Sequence, residues 1–227
     1  MTTQRGATVG ARHQSLREAV VVELRDKIID GELGSGERVV ERDLAAELEV
    51  SRIVIREAIQ QLTAEGLLVV APRRGAMVAP FTDDYADQLT DVRVALEPMA
   101  ARRAAEHRTD ADLRNLRDAL DEAAAAIERR DLAAAARLNV DFHLEIVRCA
   151  HNPILETTMG PLISQVRRFF RLGQDTESSG WNDAHIALYE AIRDRDPERA
   201  ARLAAEHIEA TRAPMHSRVD SPEQPRS

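Results

Sequence analysis

Residues Glu41 to Ala79 constrain the fold most, because helical and strand periodicities alternate there within a short span. Glu41-Arg-Asp-Leu-Ala-Ala-Glu-Leu48 places Leu44, Ala45 and Leu48 on one face of a short helix. Glu49-Val50 reads as a turn, and Ser51 is a favourable N-cap for a second helix. From Ser51 to Leu62 the apolar positions Ile55, Ala58, Ile59 and Leu62 form an inner face. That leaves Ser51, Arg52 and Arg56 outward at the first turns. Gly66 stops the helix. Leu67 to Ala71 and Ala76 to Ala79 are β-type runs around Pro72-Arg73-Arg74-Gly75, a hairpin with a basic tip. A small helical subdomain with ordinary surface arginines would explain these residues singly. Their order predicts a winged helix-turn-helix, which meets DNA at the start of its second helix.

The same stretch resembles the GntR family of bacterial transcription regulators. Glu41, Leu44-Ala45, Val50-Ser51-Arg52, Arg56-Glu57-Ala58, Leu62, Glu65-Gly66-Leu67, Arg74-Gly75 and Val78 follow that family's DNA-binding signature. Where many members carry Thr-Pro-Val, this chain has Ile53-Val54-Ile55. The helix is kept, but a small polar side chain that could touch phosphate or base is gone. The resemblance implies that Arg42, Ser51, Arg52 and Arg56 face operator DNA and that Arg74-Gly75 forms the wing tip.

A chain of 227 residues allows one large or two small domains. Its net charge of −8 argues against a non-specific nucleic-acid coat but not against a small basic contact face. Aromatic content of only 3% suits helix bundles filled with Ala, Leu and Val. Cys149 is the sole cysteine, which excludes an internal disulfide framework and fits a reducing cytoplasm. No apolar run is long enough to span a bilayer and no signal peptide is visible, so the expected location is cytoplasmic, with no membrane partner.

Read in order, residues 1–13 are polar and expected to be disordered. Ser15-Leu16-Arg17-Glu18 has the form of a capping box, opening an amphipathic helix with Leu16, Val20, Leu24 and Ile28 inward. The DNA-binding domain is placed at 14–79 and a linker at Pro80-Phe81-Thr82. Beyond it the pattern is helical throughout, giving a mainly α protein: a winged domain with a small hairpin, then an antiparallel all-α bundle at 83–213. Helix starts are read at Thr82 or Asp83, Thr109, Asp131, Asn152-Pro153, Trp181 and Asp196-Pro197. Gly173 to Gly180 is read as a loop, and 214–227, rich in Pro, Ser, Arg, Glu and Gln, as a disordered tail.

The bundle resembles the ligand-sensing FCD domain of the FadR branch, in its six-helix VanR-like form. The carriers are Asp91 to Arg102, Asn139-Val-Asp-Phe142-His143, Asn152-Pro153, His185 with Ala191-Ile192 and Asp194, and Ala201 to His207. Of seven histidines, His143, His185 and His207 lie on three different helices at bundle-lining registers. Each taken singly reads first as a hydrogen-bonded core residue. The resemblance implies that together they bind a divalent metal such as Zn²⁺. The family's fourth ligand is an Asp where Asn139 stands, one helical turn before His143 and about 40° from it around the helix. A neutral amide oxygen is the weaker donor. For Arg93 two roles stay open: a cation toward the ligand cavity, suited to a small carboxylate effector, or an i,i+4 salt bridge with Glu97.

These observations point to a dimeric, ligand-responsive regulator, expected to be a repressor, that binds a palindromic operator. The resemblance implies a dimer formed through the first bundle helix, where Leu89, Val92 and Leu96 offer apolar surface. Two other readings remain open. Three histidines and a water also describe a catalytic zinc site in a hydrolase, although no general base stands at a fixed spacing from them. A DNA-binding module with an inert bundle is the other.

Overall fold

The computed structural model describes residues 9–172 and 179–212. The expected tail, the first eight residues and most of the 173–180 loop lie outside them. The chain divides into two units, Met1–Pro80 and Phe81–Ser227, each with its own hydrophobic core.

The first unit runs α1 (Val9–Ile29), β1 (Arg38–Val39), α2 (Glu41–Glu47), α3 (Arg52–Ala64), β2 (Leu68–Ala71) and β3 (Gly75–Val78). Helix α1 starts at Val9, so Ser15 lies inside it and is not its cap, and residues 9–13 are helical rather than an arm. Its inner stripe is Val20, Val21, Leu24 and Ile28, whereas Leu16 is exposed. The stripe packs on α3 through Ile55, Ala58, Ile59 and Leu62. Arg25 ties the two helices by gripping Glu65 at 2.8 Å. Gly66, at φ 75°, takes the left-handed conformation that ends α3, and Leu67 N–H reaches back to the Leu62 carbonyl. The sheet order is β1-β3-β2, all antiparallel. Strand β1, two residues long, carries no periodicity that sequence could show. In the β2–β3 turn Arg73 has φ 65° and Gly75 φ 79°. A Cβ at Gly75 would meet nothing within 4 Å, so glycine serves the backbone conformation there and not space.

Among its described residues the second unit has α4 (Asp83–His107), α5 (Asp110–Glu128), α6 (Leu132–Cys149), α7 (Pro153–Leu172), α8 (Ser179–Arg193) and α9 (Pro197–Ala210). Expected caps are in place: Thr82, Thr109, Asp131 and Asp196 each accept the backbone N–H of the third residue of their helices. Asn152 does the same for α7. Thr109 and Asp112 form a reciprocal capping box. Phe81 belongs to this unit and not to a free linker. It is 1% exposed and rests against Tyr85 and Phe169 at ring separations of 5.3 and 6.0 Å. Helix α4 packs on α6, α8 and α9, and α6 also packs on α5 and α7. Leu89 faces the core and Leu96 packs against it half-buried, so the exposed large apolar residues of α4 are Val92 and Met99. Cys149 is a buried free thiol. No helix among the described residues is long and apolar enough to cross a membrane.

Candidate functional site

On the first unit, Ser51 Oγ accepts the Val54 N–H at 3.4 Å and starts α3. Because Val54, Ile55, Ala58, Ile59 and Leu62 are buried, Arg52 and Arg56 project from the opposite side, with side chains 64% and 55% exposed. Both lean toward one carboxylate that sequence reading left without a role. Arg56 donates from Nε and Nη2 to Glu41 at 3.1 and 2.8 Å, and Arg52 Nη2 lies 3.8 Å from the same group. The Arg56 hydrogen bond holds the Glu41 carboxyl below its usual range. Arg42 is exposed and pairs with Asp43 at 2.9 Å. Arg74 is exposed at the last position of the wing's turn, and its N–H bonds the Ala71 carbonyl. Nothing in the sequence spacing exposes the Glu41–Arg56 pair, because the two residues stand on different helices.

In the second unit the three expected histidines converge. His143 on α6, His185 on α8 and His207 on α9 bring their Nε2 atoms to 3.1–3.2 Å of one another, and all three side chains are buried. Phe142 covers one side of His185, with ring centres 4.7 Å apart. Burial, then the neighbouring His143 and His207 imidazoles, push the pKa of His185 far down. Burial and His143 bring His207 to about 3. Both rings are therefore neutral at physiological pH, with lone pairs available.

Helix α4 contributes a residue that sequence reading treated only as a salt-bridge partner. Glu97 Oε2 lies 2.8 Å from His143 Nδ1, and its Oε1 lies 2.6 Å from Arg93 Nε. Burial alone would raise the Glu97 pKa, but Arg93 and His143 outweigh it and hold the group at about 2. An ionised carboxylate only accepts, so Nδ1 of His143 donates to Glu97, and Nε2 is the atom that faces the other two rings. Both roles left open for Arg93 bear on its fork. Nε makes the salt bridge, Nη1 has a long 3.5 Å contact to Thr211, and Nη2 has no hydrogen-bond partner among the described residues.

Asn139 is 4% exposed, and neither its Oδ1 nor its Nδ2 has a hydrogen-bond partner among the described residues. An unsatisfied buried polar group costs about 1–3 kcal/mol, so this amide suits a site where something else engages it. The donor spacing also fits an ion. Nitrogens about 2.0–2.1 Å from one metal lie ~3.3–3.4 Å apart in a tetrahedron and ~2.8–3.0 Å apart on an octahedral face. The observed 3.1–3.2 Å falls between them. Beside Glu97 and His143 lies a cavity of about 10 Å³, whose lining includes Ala100, Ala101, Leu188 and Ala204. It has room for about one water.

Comparison with known proteins gives the two units matching counterparts. Residues 16–78 match the family described as bacterial regulatory proteins, gntR family, and residues 88–210 match the FCD domain. The chain is 29% identical over 210 residues to the galactonate operon transcriptional repressor of Escherichia coli, covering 82% of this chain and 91% of that protein. It is 30% identical over 223 residues to the HTH-type transcriptional repressor NanR of Klebsiella aerogenes, covering 88% and 85%. Among solved structures, E. coli McbR/YncC matches with a TM-score of 0.77 at 25% identity, covering 89% of this chain and 97% of that one.

Proposed function

Because the chain belongs to the GntR family of bacterial transcription regulators and carries an FCD domain, we propose that it is a dimeric repressor of a palindromic operator, released by a small organic acid. Members of this family are regulators and not enzymes, which removes the hydrolase alternative. Arg52 and Arg56 would contact base edges and Arg42 the backbone. Ser51 would hold the helix start, and Arg74-Gly75 would bring the wing to the phosphates. A palindromic site calls for a two-fold dimer, and Val92 and Met99 on α4 offer the apolar surface for it.

The observation that carries the sensing half is the histidine triangle with its orphaned neighbours. His143, His185 and His207 would hold one divalent ion, Zn²⁺ by donor type, with Asn139 as a weak fourth ligand. The ion would supply a Lewis-acidic position for a carboxylate. Arg93 would present its unpartnered Nη2 to that carboxylate. The adjoining cavity admits about one water, so an organic acid must part the helices that line it. That requirement makes the ligand selective between two arrangements of the unit, which is what any regulatory effect needs.

Thermal-shift screening of small organic acids with and without Zn²⁺, followed by titration of operator DNA, tests the reading. An acid that raises the midpoint only with Zn²⁺ and weakens DNA binding is the expected result. Failure of every acid to change DNA affinity would leave a DNA-binding module with an inert bundle. Sedimentation of the full chain at micromolar concentration tests the dimer, and a monomer would contradict it.

A further inference from the structure

Ile53 is 62% exposed on the first turn of α3. A single exposed apolar residue is ordinary, so its position has to decide whether it means anything. At about 100° per residue, the buried Val54, Ile55, Ala58, Ile59 and Leu62 span an arc whose midpoint lies roughly 170° from Ile53. Ile53 therefore stands on the midline of the outward face. Arg56 is about 60° to one side and Gln60 about 20° away, two turns further on. When that face enters a groove, the midline residue of the first turn comes nearest the base edges.

Resting on the DNA-binding reading above, we propose that Ile53 is a specificity-determining residue that reads the C5-methyl group of a thymine in each half-site. Isoleucine has no donor or acceptor. Against phosphate it would only displace water from an anion. In the major groove the one base feature that rewards an aliphatic side chain is the thymine methyl. Folding of the first unit gives no reason for an apolar residue here, since most of Ile53 stays in solvent.

Arg56 fixes where that thymine lies. Its Nε and Nη2 already bond Glu41, which leaves the outer Nη1–Nη2 edge to meet guanine O6 and N7. Glu41 is in this sense a positioning residue for Arg56. Ile53 and Arg56 are three residues apart, ~4.5 Å along the helix axis, against a base step of about 3.4 Å. The thymine is thus expected within a step or two of the guanine.

The test is selection of full-length protein on a random double-stranded DNA library. Each thymine of the selected site is then replaced by uracil, which deletes the methyl and nothing else. One thymine per half-site, near a guanine, should weaken wild-type binding about fourfold when replaced. Ile53→Ser should bind thymine and uracil probes equally, and Ile53→Val should keep the preference. Equal wild-type binding to uracil at every position would overturn the proposal, as would an unchanged preference in Ile53→Ser. Enrichment of no sequence at all would mark failure of the DNA-binding reading itself, and this inference would fall with it.

Discussion

Each unit of this chain has a glutamate that holds an arginine, and the two settings are opposite. Glu41 grips Arg56 between two helices on the surface, where the arginine side chain is 55% exposed. Glu97 grips Arg93 one helical turn away inside the bundle, where the two side chains are 8% and 0% exposed. On the surface water competes for both charges, so the pair orients the guanidinium without committing it. Inside the bundle neither charge can be released without leaving the other buried and unpaired. The first pair is suited to a partner that arrives from solvent and takes a share of Arg56. The second is suited to a ligand that must join a charge network already closed by His143. Readiness in one unit and coupling in the other come from burial, with the same two side-chain chemistries.

The largest expected difference between them is in stability. Glu97→Gln should destabilise the helical unit by roughly 3–5 kcal/mol, because it strands the buried Arg93 charge. Glu41→Gln should leave the midpoint of the winged unit unchanged, because exposed pairs contribute little. Urea unfolding of both full-length variants in the presence of chelator compares them. Equal losses would mean that burial is not what separates the pairs.

Metal removal is the next largest effect, and it should be confined to one unit. With free Zn²⁺ at about a thousand times its Kd, an ion bound only by folded protein contributes about 4 kcal/mol. Adding chelator should therefore lower the melting of the helical unit and leave the winged unit in place. His185→Ala should melt at one temperature with or without Zn²⁺. A Zn²⁺-induced shift that survives His185→Ala would move the ion away from the histidine triangle.

How much of this was legible in sequence depends on whether a signal is local. N-caps are local: Ser51, Thr82, Asp131 and Asp196 bond backbone N–H groups three residues away, and side-chain chemistry alone announces them. The histidines were placed by register and resemblance, and they do meet. Glu97 was seen with Arg93 because they are one turn apart. Its bond to His143 joins α4 to α6, and no spacing rule reaches that far. Glu41 and Arg56 were missed as a pair for the same reason. Strand β1 was missed because two residues cannot show alternation. Helix ends at Arg130, His151 and Arg195 use left-handed backbone, with φ of 57°, 48° and 56°. A glycine would have announced these turns, and an arginine or histidine does not. The start of α1 at Val9 was missed because the polar composition before Ser15 resembles that of an arm and the capping box supplied a false start.

The third effect is on DNA affinity. Arg52→Ala and Arg56→Ala should each weaken operator binding by roughly ten- to hundredfold with no change in either unit's melting. Arg74→Ala should weaken binding to all sequences alike and reduce the salt dependence by about one phosphate contact. Gel-shift titration at several salt concentrations separates the two behaviours. Unchanged affinity in both recognition-helix variants would remove the interface from this face of α3.

The smallest expected change sharpens the comparison by adding a charge where the bundle has an orphaned dipole. Asn139 leaves both amide atoms unpartnered among the described residues, on α6 one helical turn before His143. Asn139→Asp keeps the shape of the side chain and replaces a neutral oxygen with an anion. Without metal the new carboxylate is buried next to rings whose positive form burial already disfavours, so the variant should be less stable than the parent in chelator. With Zn²⁺ the carboxylate joins three neutral donors on a dication, and affinity should rise by about tenfold, the scale of one well-placed ligand-shell change. The two halves have opposite signs, so a general loosening or tightening of the bundle cannot imitate them. Calorimetry with Zn²⁺ on chelator-treated protein reads the second half, and urea unfolding in chelator reads the first. If neither the parent nor Asn139→Asp binds Zn²⁺, the histidines are core residues and the metal reading is wrong.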